Sequence, residues 1–220
     1  MRFLDNLKMS TPELMAQLCR DFYTLGWVSG TGGGISIRDH HGIYLAPSGV
    51  QKERICADDI FLCADDLLEP ASAPRVLRPA KNPALRISEC APLFYNAYRL
   101  RKAGACIHSH SIWAVLATRL AAKQGSPHLF SSHGLEMQKG LRGKGCMETI
   151  QIPIIANTAR ESALSDSMQA AMIEHPDVDA VLVANHGLYV WGKDWIEAKT
   201  QAECLDYLCR AAVESHRLGV

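Results

Sequence analysis

Short strand-like runs recur along this chain in pairs joined by tight turns, and the stretches between pairs repeat their apolar residues at helical spacing. Ile35-Ser-Ile-Arg38 and Gly42-Ile-Tyr-Leu-Ala46 flank the turn Asp39-His-His-Gly42, and residues 178–183 and 188–191 flank Ala184-Asn-His-Gly187. Strands linked this closely pair antiparallel. The chain therefore reads as α/β, a sandwich with a central, mainly antiparallel sheet flanked by helices. Further strands are expected at 60–63, 105–110 and 150–155. Ser10-Thr-Pro-Glu13 has the form of a capping box opening a helix that carries Leu14, Leu18, Phe22 and Leu25. Helices follow at 88–101, 111–120 and 160–174, and Asp194 with Glu197 caps a long last one through Ser215. Residues 69–87, with four prolines, read as an ordered loop, and 125–149 as loop with a helical piece at 135–139. The absence of repeats and low-complexity tracts makes 1–220 a single domain.

Composition narrows the function classes. The 23 basic and 23 acidic residues cancel, so the chain lacks the electrostatic footprint of a nucleic-acid or anionic-membrane partner. No apolar run approaches the ~20 residues that span a bilayer. The eight cysteines contain no Cys-x-x-Cys pair, and the first ten residues lack a secretory apolar run, so the cysteines are expected as thiols in the cytoplasm.

The chemistry-bearing residues begin with His108-Ser-His110. Side chains at i and i+2 of a strand share a face, which puts both imidazoles within reach of one ion, or makes them a hydrogen-bonded pair. His186, in the turn Asn185-His-Gly187 where Gly187 is expected at positive φ, is a third candidate ligand. Three imidazoles with an open fourth position suit catalytic zinc, and equally iron, cobalt or nickel. Thr31-Gly-Gly-Gly34 and Ala46-Pro-Ser-Gly49 are either flexible turns or anion nests, with the Thr31 and Ser48 hydroxyls as extra donors. Acid–base candidates are Glu89 and Cys90, which open a helix whose N-terminus would stabilise a carboxylate or thiolate, and Glu136 in a glycine-flanked loop.

In order, Gly30-Thr-Gly-Gly-Gly-Ile-Ser36, Ala46-Pro-Ser-Gly-Val50, the His108-Ser-His110 strand and Asn185-His-Gly187 resemble the class II aldolase/adducin family, over about Leu14 to Ala212. The resemblance implies that family's sandwich, a homotetramer with sites near subunit boundaries, and one Zn2+ per subunit on His108, His110 and His186. It implies a small sugar-phosphate substrate, while the charge balance already argues against a nucleic-acid or membrane partner. Cys90-Ala-Pro-Leu-Phe-Tyr-Asn-Ala-Tyr98 and Tyr189-Val-Trp-Gly192 are most similar to the family's dehydratases. An aldolase on the same zinc is the alternative, and a non-catalytic adducin-like binding domain a third. By the same resemblance Glu136, in Glu-Met-Gln-Lys-Gly140, is the acid/base, while Glu89 holds the place of the aldolases' catalytic glutamate; both stay open. Cys90 matches an active-site cysteine, and the phosphate contacts fall on Gly33, Gly34, Ser48, Gly49 and Ser88.

Overall fold

The computed structural model describes residues 9–66 and 73–220. Helix α1 (Thr11–Thr24) precedes strands β1 (Gly34–Asp39), β2 (Gly42–Leu45), β3 (Phe61–Cys63) and β4 (Val76–Arg78). Next come α2 (Ala91–Arg101), β5 (Ala105–Ser109), α3 (Ile112–Lys123), β6 (Leu129–Ser132) and β7 (Ile150–Ile155). The chain continues through α4 (Ser165–Glu174), β8 (Ala180–Val183), β9 (Gly187–Gly192) and α5 (Trp195–Leu218). The nine strands form one sheet in the order β4-β3-β2-β1-β5-β9-β8-β7-β6. Every neighbouring pair is antiparallel except β7 and β8, where Ile155 lies opposite Val183.

Alternation sorts the strand side chains onto two apolar layers. Ala105 and Ile107 of β5, with Leu188 and Val190 of β9, pack with α1, α3 and α5. Cys106, Tyr189 and Trp191 face the opposite way, against α2 and α4. β5 is buried along its whole length between β1 and β9. Such a strand has no solvent face on which to carry an unpartnered imidazole, so the burial of His108 demands a polar environment built for it.

Local chemistry explains the element ends. The Ser10 N–H and hydroxyl both donate to the Glu13 carboxylate at 2.8 Å, which starts α1 where the capping box predicts. At α5 the Asp194 side chain accepts from the Glu197 N–H, but the Glu197 carboxylate takes the Lys193 N–H, one residue before the expected partner. α2 starts three residues later than expected, because Ser88 Oγ accepts the Cys90 N–H and leaves Cys90 as the cap. Helix 160–174 opens as a tight 3-10 turn, Glu161–Leu164, before α4.

Two segments expected as loop hold strands. β4 is an edge strand with every residue exposed, so it carries no alternating pattern to read. β6 is serine-rich and pairs antiparallel with β7 at the opposite edge. Of the expected loop 69–87, residues 69–72 lie outside the described residues. All eight cysteines are free thiols. Among the described residues no helix is long and apolar enough to cross a membrane.

Candidate metal centre and anion pocket

β5 carries His108 in line with Tyr189 of β9, and the chain leaves the strand one residue before His110, whose N–H donates to the Trp27 carbonyl at 2.7 Å. The β8–β9 turn brings His186 from the next strand pair. In that turn the left-handed residue is Asn185, with φ 58°. Gly187 is required for a different reason than expected: a side chain there would collide with the Ser109 carbonyl of β5.

The three imidazoles converge through their Nε2 atoms, 2.8 Å between His108 and His110 and 3.1 Å between His110 and His186. A fourth group joins them that the sequence reading missed. Glu161 Oε1 lies 2.6 Å from His108 Nε2 and 3.7 Å from His186 Nε2. The four groups each offer one donor atom within 4.8 Å of the others. Outside the cluster, His108 Nδ1 faces the Leu188 carbonyl at 3.2 Å and His186 Nδ1 faces Asn157 Oδ1 at 3.0 Å. Protons on those Nδ1 atoms leave Nε2 lone pairs pointing inward, the tautomer a metal ligand needs.

The electrostatics agree. Burial, followed by the neighbouring His108 and His186, pulls His110 down to about 3, and burial with His108 lowers His186. Both are therefore neutral imidazoles at ordinary pH. Burial alone would raise Glu161, but the adjoining His108, with hydrogen bonds from Tyr189 and Cys90, outweighs it and holds the carboxyl below the usual carboxylate range. Tyr189 donates to Glu161 Oε1 at 2.6 Å while its ring stacks on His108, centroids 4.0 Å apart and 7° from parallel. A nitrogen-rich set of three imidazoles and one carboxylate oxygen fits a divalent metal ion.

The glycine turns lie against this cluster. Gly34 is the cross-strand partner of His108. A side chain at Gly33 would sit 2.8 Å from the carbonyls of both His108 and Trp27, and one at Gly32 would collide with the His110 ring. Lys52 Nζ donates to the Thr31 carbonyl at 3.0 Å and the Val50 carbonyl at 3.4 Å, tying the first glycine turn to the second. The second turn is bound in its turn to the residues before α2: Pro47 bridges Ile87, and the Ser48 N–H donates to the Arg86 carbonyl at 2.8 Å. Thr31, Gly33, Gly34, Ser48, Gly49 and Ser88 thus belong to one connected set of turns beside the histidines.

A family model described as the class II aldolase and adducin N-terminal domain matches residues 13–213. The chain belongs to this family. Among curated class II aldolase relatives, the methylthioribulose-1-phosphate dehydratase of Aspergillus niger is 47% identical over 97% of this chain and 92% of its own length. The dehydratase of the same name from Laccaria bicolor is 49% identical over 94% and 89%, and that of Aquarana catesbeiana 49% over 94% and 85%. The fold is that of the l-fuculose-1-phosphate aldolase from Thermus thermophilus, with a TM-score of 0.66 at 22% identity over 93% of this chain and 92% of that one. The sugar-phosphate aldolase from Thermotoga maritima gives 0.66 at 16% identity over 96% of each.

The remaining class II aldolase site candidates fall apart from the cluster or at its edge. Glu89 is exposed and outside it, while the next residue, Cys90, is buried and bonded to Glu161. The Cys90 thiol is pushed up by burial and by the Glu161 charge, so the thiolate expected of a helix N-terminus gives way to a protonated donor. Glu136 is also outside the cluster, 76% exposed on the 3-10 turn Glu136–Gly140 and paired with Lys139 at 2.7 Å.

Proposed function

We propose that this chain dehydrates 5-methylthioribulose 1-phosphate to 2,3-diketo-5-methylthiopentyl 1-phosphate, a step of methionine salvage, as a cytoplasmic zinc-dependent homotetramer of single-domain subunits. The observation that carries this reading is the convergence of His108, His110 and His186 beside glycine turns, in a chain 47–49% identical to relatives named for that dehydration.

His108, His110 and His186 are the ligands in this reading, with Glu161 as the neighbouring carboxylate. A divalent cation on these residues would supply Lewis-acid polarisation of the substrate's keto-hydroxy group, which would make the C3 proton more acidic. The turns at Thr31, Gly33, Gly34, Ser48 and Gly49, with Ser88, bind the phosphate and fix the sugar chain. Glu161 is a poor base, because Tyr189 and Cys90 already donate to it and its carboxyl is held below the usual carboxylate range. Glu136 serves as the acid/base: it takes the C3 proton and returns it to the C4 hydroxyl, which leaves as water. The enol left behind relaxes to the 2,3-diketone. Cys90 and Tyr189 keep the Glu161 carboxylate in place, and Cys90 borders the substrate. Glu89, exposed and outside the cluster, has no part in this scheme.

Incubating the metal-loaded protein with methylthioribulose 1-phosphate and following the diketone product tests the proposal. Aldol cleavage of a sugar phosphate without dehydration would replace it by the aldolase reading. Absence of both activities in metal-loaded protein would leave a non-catalytic binding domain.

A further inference from the structure

Lys52 stands out among the buried residues of the anion side. It is 2% exposed, and among the described residues its ammonium donates to the Thr31 and Val50 carbonyls and forms no ion pair with a carboxylate. Removing a charge from water costs several kcal/mol unless the site pairs it, and two neutral carbonyls leave the charge uncompensated. Burial accordingly lowers the lysine pKa. The charge is felt at the metal cluster as well, where Lys52 contributes to the lowering of His110.

The two carbonyls tell what the ammonium does to the backbone. In a trans peptide the C=O of one residue and the N–H of the next point in opposite directions. Turning the Thr31 carbonyl onto Lys52 turns the Gly32 N–H away from it, and the Val50 carbonyl does the same for the Gln51 N–H. Neither N–H donates to a backbone carbonyl among the described residues. Gly33 and Gly49, in the same two turns, have φ of 66° and 67°, the left-handed conformation from which concave N–H nests are built.

We propose that Lys52 is the positioning residue of a phosphate-monoester subsite. From beneath the two turns it holds both carbonyls back, so that the Gly32 and Gln51 amides face the ligand, and it supplies the positive charge that offsets the dianion. The inference deepens the sugar-phosphate reading and rests on it. It also explains how a chain of zero net charge accommodates a doubly charged substrate: the cation is buried and local.

The test compares wild-type holoenzyme with Lys52→Met, nearly the same length but neutral, using inorganic phosphate as the probe. Calorimetry is expected to show phosphate affinity falling about 10- to 100-fold in the variant, the value of losing charge-assisted hydrogen bonding. Bound metal should be unchanged, and KM for the phosphorylated substrate should rise more than kcat falls, a split that general loosening of the fold would not produce. Unchanged phosphate affinity in a folded, metal-loaded variant overturns the proposal. If Lys52→Met does not fold, hydrogen exchange on the wild type decides: phosphate should protect amides within 32–34 and 49–51, and protection confined elsewhere refutes the assignment. Lys52-dependent phosphate binding without dehydration would leave the subsite standing and remove the proposed function. Dehydration with phosphate affinity indifferent to Lys52 would do the reverse.

Discussion

Gly34 and His108 are direct cross-strand partners in the β1–β5 ladder, so the end of the glycine turn and the first imidazole of the cluster share one register. A slip of one residue in that ladder would carry the glycine turn off His108 and reverse which face each β1 side chain takes. The turn therefore tolerates little change. Gly33 has φ 66°, and a side chain there would meet the His108 and Trp27 carbonyls at 2.8 Å, both of them backbone atoms. Gly33→Ala is expected to cost about 1–3 kcal/mol of stability, together with lost metal and phosphate binding. Chemical denaturation and metal analysis check both, and a variant of wild-type stability with full metal would show the turn to be merely permissive.

Glu161 offers a sharper test of the cluster. Glu161→Gln keeps an oxygen acceptor for Tyr189 but removes the negative charge 2.6 Å from His108 Nε2. Metal affinity should fall about 10- to 100-fold, the usual cost of losing a carboxylate that supports a metal ligand. Competition with a chromophoric chelator measures it. An unaltered affinity would mean that the carboxylate contributes nothing to holding the cation.

How much of this was readable depends on whether the signal was local. His108 lies on a strand whose apolar flanks announce it, with His110 one residue past its end, and the cap residues Ser10 and Asp194 mark their helices through contacts three residues away. Glu161 has no such signature. It reaches the cluster because β7 and β8 are parallel and bonded on at Ile155, whose carbonyl accepts the Ala184 N–H at 2.9 Å. That pairing delivers the segment after β7 and the turn of His186 to the same end of the sheet, and no local pattern encodes it. Lys52 was hidden differently: an isolated lysine after a turn reads as solvated, and the packing of α1 against the 3-10 turn Lys52–Arg54, which this residue opens, removes it from water.

Cys90 and Cys56 should separate in their reactivity. Cys90 is buried with its thiol pushed up by burial and Glu161, whereas Cys56 is exposed. Since the thiolate is the nucleophile, brief iodoacetamide treatment near neutral pH followed by peptide mass mapping should modify Cys56 and spare Cys90. Preferential labelling of Cys90 would show that the helix N-terminus wins over burial.

Glu136 poses the question of which subunit it serves. Within its own chain it stands outside the histidine cluster, on an exposed turn and paired with Lys139. If it acts as the acid/base at a subunit boundary, ligands and base of each site come from different chains. Glu136→Gln and His186→Ala should then each be inactive alone, the first with its metal retained. Co-assembled in equal amounts, half the chains supply intact ligands and half an intact base, so about a quarter of the sites in a closed ring pair one with the other. Recovery of activity on mixing, with mixed oligomers verified by native mass spectrometry, is the expected result. Verified mixed oligomers without activity would place Glu136 in the service of its own chain's site or of none.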